Sequence, residues 1–352
     1  MLRLLCLLCS VVSAMASSKL CPHHCLCHGN SELVDCRGRG FTHIPHGIPH
    51  GSWLLDLSDN KLSELRSATF TGIWALRILL IQNSSLQVLQ PQALAALSFL
   101  ERLDLSNNEL HTLASDFSYG LAALRDLRLD HNSLECLERR SFAHLESLEK
   151  LDLSHNHIRV IQRGAFHGLT SLKQLNLGWN QMPVFPSGLL TMQQRLSVLL
   201  LGHNNISSIE AEAFTPLQSL ILLGLEANQL ENLKFKTFLN LKTPSIHLQL
   251  SENPWICDCE LHRVFSKILH VRRLHIDDYW NITCHGPPPL AGASLVLMDS
   301  QLCVAETATV LVITATVMVT VVAAIAMAER NRRKKKLNLG KQGNEPEIVH
   351  SK

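Results

Sequence analysis

Leucine positions recur along this chain with a fixed beat. Over residues 53–252 the frame L-x-x-L-x-L-x-x-N-x-L repeats, and its asparagine position falls at Asn60, Ser84, Asn108, Asn132, Asn156, Asn180, Asn204, Asn228 and Asn253. Every step is 24 residues except the last, which is 25. A period of this length marks a repeat architecture in which each coil is one supersecondary unit. The spaced leucines, as at Leu148, Leu151 and Leu153, predict a short parallel strand per coil whose inward side chains are covered only when the next coil stacks on them. The asparagine predicts a turn in which a side-chain amide satisfies backbone groups along the stack. Ser84 breaks the series, and a hydroxyl can meet only part of that demand.

Ten residues beyond most of these asparagines stands a large apolar residue: Phe70, Leu94, Phe142, Phe166, Leu190, Phe214 and Phe238. These are predicted to fill the outer half of each coil. In the third repeat the residue is Phe117, a one-residue slip in the convex loop.

A solenoid has two open ends that must be covered. Eight of the 11 cysteines sit where the covers belong. Cys21, Cys25, Cys27 and Cys36 precede the first repeat, and Cys257, Cys259, Cys284 and Cys303 follow the last. Two even sets predict disulfide-bonded caps in an oxidising compartment, with the pairing inside each set left open. Zinc at the C-x-C pair of Cys257 is the alternative, and the compartment disfavours it. Cys136 is left over; it shares its frame position with Val88, Val160 and Val184, which predicts a buried, inert thiol.

The ends of the chain set the compartment. Residues 1–16 carry one early charge at Arg3, a short apolar run and a small-residue ending, as a cleaved secretory signal does; Cys6 and Cys9 lie within it. Residues 307–328 contain no charged side chain and as a helix would span about 33 Å, enough to cross a bilayer. Arg330, Arg332, Arg333, Lys334, Lys335 and Lys336 follow at once, which places the tail, 329–352, in the cytoplasm and the N-terminal part outside. The expected organisation is therefore a signal (1–16), a cysteine-rich cap (17–52), repeats (53–252), a second cap (253–304), the span and the tail. Of the formal net charge of +2, the tail holds +5 and the signal +1, which leaves −4 for the outer part. A mildly acidic outer part argues against nucleic acid as a partner.

The C-x3-C-x-C-x8-C opening at Cys21, the 24-residue repeats and the N-P-W-x-C-D-C-x24-C-x18-C closing from Asn253 to Cys303 together resemble the capped leucine-rich-repeat ectodomains of cell-surface proteins. The resemblance implies an α/β leucine-rich-repeat solenoid, a parallel β horseshoe between disulfide-rich caps. It also implies first-to-third and second-to-fourth pairing: Cys21–Cys27, Cys25–Cys36, Cys257–Cys284 and Cys259–Cys303. The overall plan is similar to the group named for leucine-rich repeats and a transmembrane domain, and more distantly to the leucine-rich-repeat auxiliary subunits of large-conductance potassium channels.

Strand residues that point away from the core form the concave face, the usual binding surface of such folds. One column reads Arg102, Asp126, Lys150 and the next Asp104, Arg128, Asp152, a checkerboard in which each charge should find opposite partners about 4.8 Å away on adjacent coils. Arg128 and Asp152 are candidate contacts for a partner. Beyond them Trp179, Val198, Leu200 and Leu222 predict an exposed apolar patch, the strongest candidate anchor for another protein. Leu54, Ile78 and Leu80 form a smaller apolar spot. His131, His155 and His203 line the adjoining column and are expected to be solvated loop residues rather than metal ligands. Sequons at Asn83, Asn205 and Asn281 predict glycans, those at Asn83 and Asn205 confining a partner to the middle repeats.

Only Val304, Ala305 and Glu306 separate Cys303 from the span, which predicts an extended tether of roughly 10 to 15 Å. Thr316, Thr320, Ala324 and Ala328 make a small-residue stripe along the span, suited to pairing with another helix. No catalytic, cofactor or phosphate-binding motif occurs in the chain. The expected function is therefore non-enzymatic: a plasma-membrane, single-pass protein inserted with its N-terminus outside, binding a membrane or extracellular protein as a cis-acting regulator or co-receptor. A trans-acting adhesion or guidance molecule and an ion-channel auxiliary subunit are the alternatives.

Overall fold

The computed structural model describes residues 21–29, 32–114, 116–239, 241, 243–297 and 300–341. The predicted signal segment and its two cysteines lie outside these residues, as does the end of the tail. The chain divides into two compact units, Met1–Val296 and Leu297–Lys352.

In the first unit, strands of three or four residues stack one per coil. Among the described residues they form a 12-stranded sheet, antiparallel only at its first pair, Leu26–His28 with Leu33–Asp35, and parallel from there on. The register is that of the frame: Leu127, Leu151, Leu175, Leu199 and Leu223 face one another in succession. Each of these leucines is buried. A one-residue slip would turn this apolar row out to solvent, so the leucine pattern itself fixes the pairing. Behind the strands, Phe70, Phe142, Phe166, Phe214 and Phe238 are buried, and Phe117 joins them despite its shifted place, meeting Phe142 edge to face at 5.9 Å.

The frame asparagines form a buried ladder. Asn156 Nδ2 donates to Leu129 O at 3.0 Å, Leu153 O at 3.1 Å and Ser154 O at 3.1 Å, while its Oδ1 accepts from Leu134 N at 3.0 Å. One amide thus ties together two successive coils. Ser84 does less: its single hydroxyl proton is shared between Leu57 O at 3.1 Å and Gln82 O at 3.0 Å.

The residue before each ladder position adopts a left-handed backbone, including His131, His155, Trp179 and His203 with φ of 54°, 52°, 56° and 55°. This conformation costs a non-glycine residue roughly 1 kcal/mol or more, and the stack offsets it. Each of these N–H groups donates to a carbonyl of the next coil, as from Trp179 to Gly202 at 2.9 Å.

Covers stand at both ends. Disulfides join Cys21 to Cys27 and Cys25 to Cys36 at the first, and Cys257 to Cys284 at the second. Cys259 and Cys303 are each disulfide-bonded as well. Helix Cys259–His270 is started by Asp258, whose carboxylate accepts from Leu261 N at 2.7 Å, and it buries Leu261, Val264, Phe265 and Ile268. Trp255, fully buried, meets Phe265 edge to face at 5.6 Å and donates Nε1–H to Leu250 O at 3.0 Å, so the last coil's cross-section is closed by aromatic rings.

Cys136 departs from its expected burial. It lies in a two-residue strand, Cys136–Leu137, on the flank of the coils, paired with Val160–Ile161. Val160 is 55% exposed, because this position points outward, and Cys136 is half-buried and free. Partial burial, with Glu138 nearby, raises the thiol's pKa. It should therefore react with N-ethylmaleimide in the folded protein, more slowly than free cysteine and faster as pH rises; complete protection until unfolding would contradict this placement.

In the second unit, helix Ser300–Lys341 contains the predicted span, and its stretch Val310–Lys334 is long and apolar enough to cross a membrane. The extended tether is not found: residues 304–306 are helical and rise only about 4.5 Å. Along the stripe, Thr316 Oγ1 donates to Ile313 O and Thr320 Oγ1 to Val317 O, both at 2.8 Å, so these hydroxyls are satisfied within their own helix.

Candidate functional site on the concave face

Among the described residues, the charges on the concave face pair less regularly than a checkerboard. Arg128 turns back to its own coil, donating Nε to Asp130 Oδ1 and an η-nitrogen to Oδ2, both at 3.1 Å, and approaches Asp104 at 3.7 Å. This fork of hydrogen bonds holds the guanidinium pKa above its usual value, against the opposing effect of burial. Arg102 meets Asp126 at 3.8 Å. Asp152 makes no ion pair with Arg128; its carboxylate accepts from Ser154 N at 3.0 Å and Ser154 Oγ at 2.6 Å. Among the described residues Lys150 has no ion-pair partner within 4.0 Å. The reason is reach: a short aspartate turns to the backbone two residues on more readily than to the next coil. Arg128, Lys150, Asp152 and Asn176 line a depression of about 320 Å³ that continues onto Val198 and Leu200.

Val198, Leu200 and Leu222 are half-buried on adjacent strands, so the predicted apolar patch lies on the surface. Trp179 belongs to the left-handed column beside it and is 51% exposed. Its ring lies in a stack: His131 on His155 at 4.2 Å, His155 on Trp179 at 5.1 Å and Trp179 on His203 at 3.8 Å, all within 14° of parallel. The histidines are thus ordered by stacking, not simply solvated. Burial, with His131 adding to it, lowers the pKa of His155, which keeps the middle of the stack uncharged at neutral pH.

The patch ends at Glu226. Burial raises its carboxyl pKa, so the charged form costs stability, a cost absent below the ordinary carboxylate range and growing as pH rises through the raised pKa. Glu226→Gln is expected to raise Tm at neutral pH and to leave it unchanged near about pH 3. A Tm gain that persists undiminished in acid would contradict this.

A second surface has no counterpart in the sequence reading. Trp53, Trp74 and Phe99 are 38%, 58% and 57% exposed on the first coils and line a cleft of about 680 Å³ with Arg77 and Glu101. Trp74 and Phe99 meet edge to face at 6.4 Å. Just before the strands runs a ladder of ion pairs, Arg77–Glu101 at 3.1 Å, Arg125–Glu149 at 3.0 Å and Lys173–Glu149 at 2.7 Å. Such exposed pairs contribute about 0 to 1 kcal/mol each and mainly order the edge.

Residues 74–134 and 123–182 match the family described as leucine rich repeat. These coils are leucine-rich repeats. The chain is 38% identical over 53 residues to mouse leucine-rich repeat and transmembrane domain-containing protein 1, a match covering 15% of each chain. Human trophoblast glycoprotein has a similar structure, with a TM-score of 0.59, 25% identity, and coverage of 81% of this chain and 98% of that one. A chain of the octameric complex of latrophilin 3, Unc5D and FLRT2 gives a TM-score of 0.57 at 25% identity, covering 80% and 98%. The first curated relatives are matched over only 15% to 31% of their own length. The shared property is therefore the repeat fold and its displayed face. In this chain that face combines a half-exposed apolar patch, an aromatic stack and incompletely paired charges. These can bind a protein surface; among the described residues no cluster of histidine, cysteine, aspartate or glutamate is arranged to hold a metal ion.

Proposed function

We propose that this is a plasma-membrane protein, oriented with its repeats outside and its basic tail inside, whose concave face binds another protein without catalysing a reaction. The observation that carries the reading is the run of Val198, Leu200 and Leu222 beside Trp179: half-exposed apolar side chains on a rigid sheet, next to a polar depression. Exposed apolar area of this kind marks interaction sites, and a stacked tryptophan is an anchor that loses little entropy on binding. Asn83, Asn205 and Asn281 are exposed and are the proposed glycan sites, which would leave the coils between Asn83 and Asn205 as the accessible part of the face.

A cis role, as regulator or co-receptor of a protein in the same membrane, is favoured by the short helical step from Cys303 to the apolar stretch of the same helix and by the stripe Thr316, Thr320, Ala324 and Ala328. With its threonine hydroxyls satisfied internally, the stripe would pair by close packing. A trans role is supported by the similarity to the complex of latrophilin 3, Unc5D and FLRT2. Replacing residues 307–328 with polyleucine separates the two. Loss of co-purifying membrane proteins from the full-length chain supports cis action; unchanged partners, also captured by the soluble repeats on opposing cells, support the adhesive reading instead.

A further inference from the structure

We propose that Glu226 receives a basic side chain, above all an arginine, from the protein that docks on the concave face; this rests on that face being the partner surface. The coils supply their own comparison. In one coil the buried Asp130 takes two hydrogen bonds from Arg128, both at 3.1 Å, and one contact with His131 Nδ1 at 3.0 Å. Four coils on, Glu226 stands at the same frame position, but Gly224 replaces the arginine and Ala227 the histidine. The carboxylate that corresponds to Asp130 has thus lost both of those side-chain donors.

One acceptor of that carboxylate is left unmet. Glu226 Oε2 is buried and has no hydrogen-bond partner among the described residues. A Cβ at Gly224 would stand 2.9 Å from that oxygen, and one at Gly202 would collide with Oε1, so two glycines clear the space the carboxylate occupies. His203 stacks on Trp179 at 3.8 Å and offsets part of the negative potential at Glu226, whose own amide is the carboxylate's internal donor. Glu252 and Asp278 add negative potential. The half-buried Leu200 and Leu222 would cover the methylenes of an arginine while its head reached the acid. A guanidinium offers two parallel donors to one carboxylate, which an ammonium cannot, and a partner side chain without a donor would leave Oε2 stranded.

The test uses the full-length, disulfide-intact protein in lipid nanodiscs and, as probe, a displayed library of constrained peptides. Peptides whose binding is lost on Leu200→Ser should carry an arginine beside an apolar residue. Their affinity should fall at least about tenfold on Glu226→Gln, or when the arginine is replaced by citrulline. Leu200-dependent peptides that lack a basic residue, or that bind Glu226→Gln undiminished, overturn the arginine assignment and leave the concave face standing. If no bound peptide responds to Leu200→Ser, both readings fall.

Discussion

Asn156→Ala should cost about 3 to 5 kcal/mol of stability, more than any surface change in the molecule. The substitution removes three donated hydrogen bonds and one accepted bond, all buried, and strands groups on both sides of a coil boundary. Each stranded buried group costs about 1 to 3 kcal/mol, and partial relaxation recovers some of the total. Thermal unfolding of the disulfide-intact protein measures it. Ser84→Asn is the control of opposite sign: the hydroxyl there has one proton to share between two carbonyls where an amide has two, so the amide should add about 1 kcal/mol. A loss below about 1 kcal/mol for Asn156→Ala would mean that the ladder does not tie the coils together.

Trp179→Ser carries the largest expected effect on binding, about 2 kcal/mol or more, or some 30-fold in partner affinity, with surface delivery nearly unchanged. The ring is half-exposed and packs against His155 and His203, not against the leucine core, so its removal opens no interior cavity. The amount of co-purified partner per surface-exposed molecule is the readout. Retention of the chain inside the cell would show instead that the stack is needed for folding.

Much of this was legible in the sequence, for a physical reason. A repeat of 24 residues makes every coil a witness to the others, so strand register, inward leucines and the asparagine turn could be read by stacking rows. What the rows did not state is which way a given column points. The place of Cys136 looked apolar because valines share it, yet the column faces outward and those valines are exposed. The column of His131, His155, Trp179 and His203 was visible, but its stacking depends on a left-handed backbone that only the three-dimensional chain displays. Trp53, Trp74 and Phe99 escaped notice because they come from three different places in the frame and meet only through the curvature of the first coils. Glu226 could have been found: reading two residues back from each acid in its column sets Arg128 beside Asp130 and Gly224 beside Glu226. The charges misled in the other direction, since alternating signs on a page do not say that a short aspartate will prefer its own Ser154.

The proposed partner sits on the concave face. Photo-crosslinking on intact cells reads this directly, with benzoylphenylalanine placed in turn at Leu200, at Leu222 and, on the flank, at Val160. Discrete adducts with a second protein are expected from the two concave positions and none from Val160. Adducts from Val160 with none from Leu200 or Leu222 would contradict it.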